Sequence, residues 1–203
     1  MTSCYMKRIV IFASGSGSNA ENLIRFFQNN AHVEVTHILT NNPHAKVLER
    51  AKNLNISAFS FNRQAFSKSD DVLNVLNTFQ PDLIVLAGFL WKFPEHILAA
   101  FPNKVINIHP ALLPNYGGKG MYGMHVHQAV VTNKETKTGI SIHLVNEHYD
   151  QGALIFQTTC PVLPTDTAED VAKKIHALEM EHFPKVIEKL LIPSLKEKGN
   201  KHE

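Results

Sequence analysis

The sequence has few cysteines, little excess charge and no long apolar run. Its two cysteines, Cys4 and Cys160, form no C-x-x-C pair, which excludes a disulfide framework and indicates a reducing compartment, the cytoplasm. A net charge of +2 provides no broad basic surface for nucleic acid or an acidic membrane. The longest apolar run, residues 83–91, is too short to span a bilayer, and the N-terminus lacks a signal-peptide pattern. We therefore predict a cytoplasmic protein with small-molecule partners and no nucleic-acid or membrane partner.

The length and composition of the chain predict one domain. With 203 residues, of which 44% are hydrophobic, the chain can bury a sizeable core as a single unit, and we expect a monomer or a homodimer. No internal repeat divides it. We distinguish a first half over residues 1–110, a second half over residues 111–192, and a charged, flexible tail over residues 193–203.

Apolar runs of strand length alternate with amphipathic stretches of helix length in the first half. This βαβα order predicts a parallel sheet covered on both faces, because parallel strands need crossover connections. Runs such as RIVIFA and LIVLAG are almost continuously apolar, which is typical of strands buried on both faces. The predicted strands are residues 8–13, 33–40, 57–61, 82–87 and 105–108, and the predicted helices are residues 19–29, 44–54, 64–79 and 95–101.

The second half has a different order of elements. A glycine-rich loop at residues 115–123 leads to a short helix at 124–132 and then to an antiparallel pair of strands at 138–146 and 152–162. A capping box at Thr167 and Asp170 starts a long final helix, which Pro184 is expected to bend or break. The fold class is therefore a doubly wound, mostly parallel α/β sheet of Rossmann-like type, with an antiparallel C-terminal strand pair and a long C-terminal helix.

The segment ASGSGSNAENL joins the first strand to the first helix, a position that favours anion binding. Gly15, Gly17 and Ala20 also fit the G-x-G-x-x-A dinucleotide fingerprint. A dinucleotide site needs an acidic residue about 20 positions further on, but the segment LTNNP found there has no carboxylate. We therefore predict a phosphate monoester at Gly17, Ser18 and Asn19, with an unoccupied tight turn as the alternative.

The segment NIHPALLP places two polar side chains at the end of a predicted strand. Asn107 and His109 lie on one side of the strand, and Pro110 stops it at the edge where open α/β sheets bind ligands. Asp150, in the turn between the antiparallel strands, is expected to return to this edge. An Asn donor, a His and an Asp suit acyl transfer to an amine, and because no G-x-S-x-G nucleophile is present, the transfer would be direct. A polar strand end capped by a turn is the alternative.

Six segments carry a resemblance to a known family: IVIFASGSGSN, PDLIVLAGF, NIHPALLP, HVH, TGISIHLV and DQG. Over residues 7–191 the chain resembles the folate-dependent phosphoribosylglycinamide formyltransferases, and NIHPALLP followed by D-x-G marks the wider formyltransferase superfamily. The resemblance implies transfer of a formyl group from 10-formyltetrahydrofolate, a co-substrate, to the amine of glycinamide ribonucleotide in de novo purine biosynthesis. The amine would attack directly to give a tetrahedral intermediate.

The resemblance also implies roles for individual residues. Asn107, protonated His109 and Asp150 would be catalytic, and residues 111–192 would form the folate and catalytic half. Ser141 would hold a catalytic water, His125 would lie near the site, and His143 is expected to be a buried histidine with satisfied hydrogen bonds. The resemblance further assigns Gly17, Ser18, Asn19, Glu179 and His176 to the ribonucleotide, with a solvated helix face as the alternative for Glu179 and His176, and Leu86, Gly88, Leu90, Trp91 and Lys92 to folate. Independently of the resemblance, Arg63 precedes a predicted helix and could meet a phosphate or a carboxylate; we assign it to folate, with surface solvation as the alternative.

Two departures from the family pattern are present. Many relatives carry an Arg just after the AGF turn, where this chain has Leu90, Trp91 and Lys92. The segment YGGKGMYGMHVH, residues 116–127, is longer and richer in glycine than the usual short connection. The histidines have no metal-ligand spacing, so no metal is expected. The alternative functions are another 10-formyltetrahydrofolate-dependent N-formyltransferase, acting on a sugar-nucleotide amine, and a non-catalytic nucleotide-binding module.

Overall fold

The computed structural model describes residues 5–192, and its strands lie between Lys7 and Pro161. Cys4 and the predicted tail at residues 193–203 lie outside the described residues. The strands of the sheet are β1 (Lys7–Phe12), β2 (Val33–Thr40), β3 (Ser57–Ser60), β4 (Leu83–Leu86), β5 (Val105–His109), β6 (Lys137–Leu144) and β7 (Leu154–Pro161).

These strands form one sheet in the order β3-β2-β1-β4-β5-β6-β7. The pairs from β3 to β5 are parallel, whereas β5–β6 and β6–β7 are antiparallel. The predicted fold class, a mostly parallel sheet with an antiparallel C-terminal pair, is confirmed.

Helices cover both faces of the sheet. They are α1 (Ser18–Phe27), α2 (Lys46–Asn53), α3 (Arg63–Ser67), α4 (Asp71–Phe79), α5 (Glu95–Ala100), α6 (Met124–Thr132) and α7 (Ala168–Leu191). Side chains alternate between two buried clusters: Ile9 and Ile11 of β1 pack on the side of α1 and α7, and Val10 and Phe12 on the side of α3 to α5. Between Tyr5 and Ile192, no helix has the length and apolar character needed to cross a membrane.

The predicted helix over residues 64–79 is wrong in its continuity. It is divided into α3 and α4, because the segment Lys68–Ser69 turns the chain. The backbone N–H groups of Lys68 and Ser69 both donate to the carbonyl of Gln64, and the Ser69 hydroxyl donates to Asp71. Serine and aspartate compete for backbone hydrogen bonds in this way and favour helix ends over helix interiors.

The final helix does not break at Pro184. α7 begins with the predicted capping box at Thr167 and Asp170 and continues as helix to Leu191. Pro184 has no N–H to donate to the carbonyl of Met180, four residues earlier. The side-chain amide of Asn22, on α1, donates to that carbonyl instead, at 2.9 Å. The packing of α1 against α7 therefore supplies the hydrogen bond that proline removes.

Candidate active site

A cavity of about 840 Å³ lies at the carboxyl ends of β1, β4 and β5. Its size is in the range of sites for small molecules. This is the edge at which open α/β sheets bind ligands, because the loops that follow parallel strands converge there. The lining comes from residues 14–19 after β1, 86–93 after β4, 107–110 at the end of β5 and 118–123 of the long loop, and from parts of 143–150 and 172–179.

The structure brings Asn107, His109 and Asp150 together at this edge. Asn107 Nδ2 is 3.4 Å from Asp150 Oδ1, and His109 Nδ1 is 3.7 Å from Asp150 Oδ2. The alternation of β5 directs both Asn107 and His109 to the same side. Asp150 is held by the backbone N–H of Gly118, which donates to Oδ2 at 2.8 Å. All three side chains line the cavity.

His143 is a fourth member of this group, which the sequence reasoning missed. It is buried, as expected, but its Nε2 lies 3.2 Å from Asn107 Nδ2 and 3.5 Å from Asp150 Oδ1. Its Nδ1 donates a hydrogen bond to the carbonyl of Leu144 at 2.7 Å, so Nε2 is the ring nitrogen that faces Asn107 and Asp150. In the register of β5 with β6, Asn107 pairs with His143, and this pairing creates the contact. The spacing of the two residues in the sequence does not predict that register.

Burial and charge set the protonation of the group in opposite directions. Burial lowers the pKa of His109, although the Asp150 carboxylate and the Tyr116 carbonyl partly oppose the effect. Burial alone would raise the pKa of Asp150, but the hydrogen bond from His143, the charge of His109 and the Gly118 N–H together lower it. At neutral pH these directions favour an ionised Asp150 and a neutral His109 in the free site, whereas the resemblance implied a protonated His109.

The glycine loop at residues 15–19 ends where α1 begins. Gly17 precedes α1 with a φ of 73°, and a Cβ at this position would lie 2.6 Å from Val47 Cβ and 2.9 Å from Val47 Cα. Only glycine fits without a shift of α2. The first backbone N–H groups of α1 have no partner within the helix, which is the condition for the anion site predicted from the sequence, and the residues that carry them line the cavity. Arg50, on α2, also holds the loop, because its Nε donates to the Ser16 carbonyl at 2.8 Å.

Glu179 connects the glycine loop to α7. Its carboxylate accepts from Asn19 Nδ2 at 2.8 Å and lies 3.7 Å from His176 Nδ1. The hydrogen bond to Glu179 raises the pKa of His176. Asn19 Oδ1 is buried and, within residues 5–192, has no hydrogen-bond partner. The five residues predicted for the ribonucleotide, Gly17, Ser18, Asn19, Glu179 and His176, all line the cavity.

The turn after β4 forms the next part of the wall, beside the segment that follows β1. Leu86, Gly88, Leu90, Trp91 and Lys92 line the cavity, as predicted for the folate side. Arg63 stands behind this wall, with its guanidinium 4.6 Å from the ring centroid of Trp91. Such a cation–π contact holds a positive charge beside this turn. Lys92 is 3.6 Å from Glu95, an exposed pair of small energetic weight.

The structure does not bring His125 to the cavity. His125 is exposed, with its ring edge-on to Tyr122, whereas His127 is buried and lines the cavity. Residues that are two positions apart in the sequence lie more than half a turn apart around the axis of an α-helix, so these two histidines cannot share a face. Burial lowers the pKa of His127, and among the described residues its Nδ1 has no hydrogen-bond partner.

Ser141 has no hydrogen-bonding capacity left for the water predicted from the resemblance. Its hydroxyl donates to the carbonyl of Ala111 at 2.7 Å and accepts from the Leu113 N–H at 2.9 Å and from Gln157 Nε2 at 2.8 Å. One donor and two acceptor lone pairs are thereby used. Ser141 fixes the backbone that leaves β5.

In the part of the chain from Tyr5 to Ile192, no cluster of His, Cys, Asp and Glu could hold a metal ion.

Comparison with known proteins defines the class. Residues 7–187 match the family described as formyl transferase. A phosphoribosylglycinamide formyltransferase of Bacillus subtilis is 34% identical over 203 residues, which cover 97% of this chain and 100% of the relative. A solved structure of glycinamide ribonucleotide transformylase 1 from Geobacillus kaustophilus aligns with a TM-score of 0.84 at 32% identity, covering 92% of this chain and 100% of that chain.

Plant relatives are longer than this chain. The chloroplastic phosphoribosylglycinamide formyltransferase of Vigna unguiculata is 35% identical over 189 residues, which are 91% of this chain and 61% of the relative. The chain thus spans less than two thirds of the length of that relative. The match over residues 7–187 and the full-length match to the bacterial relative agree. The chain belongs to the formyl transferase family, in the group of the phosphoribosylglycinamide formyltransferases.

Proposed function

We propose that this protein transfers a formyl group from 10-formyltetrahydrofolate to the amine of glycinamide ribonucleotide in de novo purine biosynthesis. The observation that carries the proposal is the meeting of Asn107, His109 and Asp150 in one cavity with the glycine loop. Relatives that align over most of this chain are named for this activity. A nucleotide-binding module without catalysis would not need this trio.

In the proposed reaction, the neutral amine attacks the formyl carbon and the carbonyl electrons move to oxygen. Asn107 Nδ2 has two hydrogens: one faces His143, and the other, whose hydrogen bond to Asp150 Oδ1 is long at 3.4 Å, turns to donate to the developing oxyanion. His109 donates its Nε2–H to the Tyr116 carbonyl at 2.7 Å, so its free Nδ1 lone pair accepts the proton of the attacking amine.

Asp150 completes the proton transfer. Its carboxylate, 3.7 Å from His109 Nδ1, stabilises the imidazolium once the amine proton has arrived. When the intermediate collapses, the bond between the formyl carbon and N10 breaks, and His109 returns the proton to N10. The products are the formylated amine and tetrahydrofolate, and His109 is again neutral.

The substrates bind different segments of the cavity lining in this proposal. The ribonucleotide phosphate binds the first N–H groups of α1 at Gly17 to Asn19, and Glu179 and His176 face its ribose and amine. The pterin binds the turn at residues 86–92, and Arg63 provides a positive charge for the acidic tail of folate. The protein would work in the cytoplasm as a monomer or a homodimer, which size-exclusion chromatography with light scattering would resolve.

An acceptor panel tests the proposed function. The purified protein is incubated with 10-formyltetrahydrofolate and glycinamide ribonucleotide, a sugar-nucleotide amine, or no acceptor. We expect formyl transfer to the ribonucleotide, with a preference over the sugar nucleotide. Transfer only to the sugar nucleotide would replace the acceptor in the proposal, and hydrolysis without acceptor would make the protein a hydrolase. Absence of all three reactions in folded protein would contradict it.

A further inference from the structure

Tyr116, in the 115–123 loop, has a backbone conformation that a tyrosine rarely adopts. Its φ is 56°, in the left-handed region that favours glycine, and glycine follows immediately at Gly117 and Gly118. A residue of this size stays in such a conformation only where its surroundings hold it there. The side chain of Tyr116, rather than its backbone preference, must therefore fix this part of the loop.

Two polar side chains hold the Tyr116 hydroxyl. It donates to Glu135 Oε1 at 2.6 Å and accepts from Asn133 Nδ2 at 3.0 Å. Both partners lie in the connection between α6 and β6. The half-buried ring of Tyr116 packs against the buried cluster on the side of the sheet that α1 and α7 cover. Burial and the hydrogen bond to Glu135 raise the pKa of Tyr116, which keeps the hydroxyl protonated as a donor. The loop is thus anchored to the connection between α6 and β6.

The backbone anchored in this way contacts both titratable members of the catalytic trio. The carbonyl of Tyr116 accepts from His109 Nε2 at 2.7 Å, and the N–H of Gly118 donates to Asp150 Oδ2 at 2.8 Å. Between them, Gly117 passes so close to Asp150 that an added Cβ would lie 3.2 Å from the Asp150 Cβ. The position of the loop therefore decides which His109 nitrogen carries the hydrogen and where Asp150 points.

We propose that Tyr116 and Glu135 are positioning residues for the formyl transfer, acting on His109 and Asp150 through the backbone of residues 116–118. This inference rests on the proposed function for its effect on turnover. The Tyr116 carbonyl selects the Nε2–H tautomer, which leaves the Nδ1 lone pair beside Asp150 and the cavity. If the loop shifts, His109 loses this partner and the tautomer with hydrogen on Nδ1 becomes populated.

Three variants test the anchor. Tyr116→Phe keeps the ring and removes the hydroxyl, Glu135→Leu removes the acceptor, and Glu135→Gln keeps an acceptor oxygen without the charge. We expect the first two to lower kcat about tenfold while KM for both substrates changes less than about twofold, because misplaced catalytic groups affect the transition state. Glu135→Gln should restore most of the activity. Tyr5→Phe, which removes a tyrosine hydroxyl at the opposite ends of the strands, is the matched control.

The tautomer of His109 is the second readout, measured by NMR of the 15N-labelled imidazole ring. We expect one Nε2–H tautomer at neutral pH in the wild type and a mixture in Tyr116→Phe. An unchanged kcat or an unchanged tautomer in Tyr116→Phe, with the wild type active, would overturn the inference. If the wild type transferred no formyl group, the proposed function would fail, and the tautomer measurement would still decide whether Tyr116 positions His109.

Discussion

The two sides of the cavity are fixed by different means. The glycine loop depends on neighbours in sequence and on one close approach, that of Gly17 to Val47, so its geometry is a property of the backbone. The catalytic group of Asn107, His109, His143 and Asp150 comes from two strands and a turn, and depends on strand register and side-chain hydrogen bonds. The difference implies that side-chain truncation should damage the catalytic side, whereas an added atom should damage the phosphate side.

Truncation of the catalytic trio gives the largest expected effect. Asn107→Ala removes a donor aimed at the oxyanion and should lower kcat about 10²- to 10³-fold, with little change in substrate affinity. His109→Ala and Asp150→Ala should be at least as severe. Combining these two should cost far less than the product of their single effects, because they act as one proton-transfer unit. Steady-state kinetics and isothermal titration calorimetry measure both quantities.

Near-normal turnover in all three folded single variants would contradict the catalytic assignment. Circular dichroism and thermal unfolding establish that each variant is folded. A loss of affinity without a loss of kcat would assign the trio to binding alone.

One added methyl group should damage the phosphate side. Gly17→Ala places a Cβ against Val47 at a φ of 73°, and backbone strain of this kind costs about 1–3 kcal/mol. We expect about 10- to 100-fold weaker binding of the ribonucleotide, with folate affinity nearly unchanged, by isothermal titration calorimetry.

Gly15→Ala is the matched control for this prediction. A Cβ at Gly15 would meet no atom within 4 Å, and Gly15 is not among the described glycines with positive φ. Ribonucleotide binding should therefore be much closer to that of the wild type. Equal affinities in both variants would mean that the close approach of Gly17 to Val47 is not required for phosphate binding.

The pKa of His109 depends on residues that are distant in the sequence, so its titration tests the difference between the glycine loop and the catalytic group more closely. Asp150 faces His109, as do, further away, His143, His127 and Glu179. Burial lowers the pKa of His109, so the imidazole should remain neutral at pH values somewhat below the ordinary histidine pKa of about 6.5. In Asp150→Asn, loss of the carboxylate charge that raises this pKa should lower it further. NMR titration of the imidazole measures both, and a pKa above the ordinary value in the wild type would contradict the proposed base.

The local features of the molecule could be predicted from the sequence, and the long-range ones could not. The order of elements, the capping box at Thr167 and the turn at Gly17 follow from neighbouring residues. The position of Asn107 and His109 follows from the strand period and the proline that ends the run. The contact of His143 with Asn107 needs the register of β5 with β6, and that of Tyr116 with His109 needs a loop path that two glycines allow.

The continuity of α7 through Pro184 is a long-range feature of the same kind. Asn22, on α1, donates to the Met180 carbonyl that proline leaves without a helical partner. Asn22→Ala should lower the free energy of unfolding by about 1 kcal/mol, since a half-buried carbonyl loses its protein donor. Urea unfolding followed by circular dichroism measures the change, which should leave turnover unaffected.

A double-mutant cycle isolates this hydrogen bond from other contacts of Asn22. In Pro184→Ala the backbone N–H of residue 184 can donate to the Met180 carbonyl, so Asn22→Ala should cost clearly less in that background than in the wild type. Asn30→Ala is the control, because Asn30 also contacts α7, donating to Glu188 at 3.0 Å, but does not serve the proline gap. Its cost should be the same in both backgrounds. An equal cost of Asn22→Ala with and without Pro184 would mean that the helix passes the proline without help from α1.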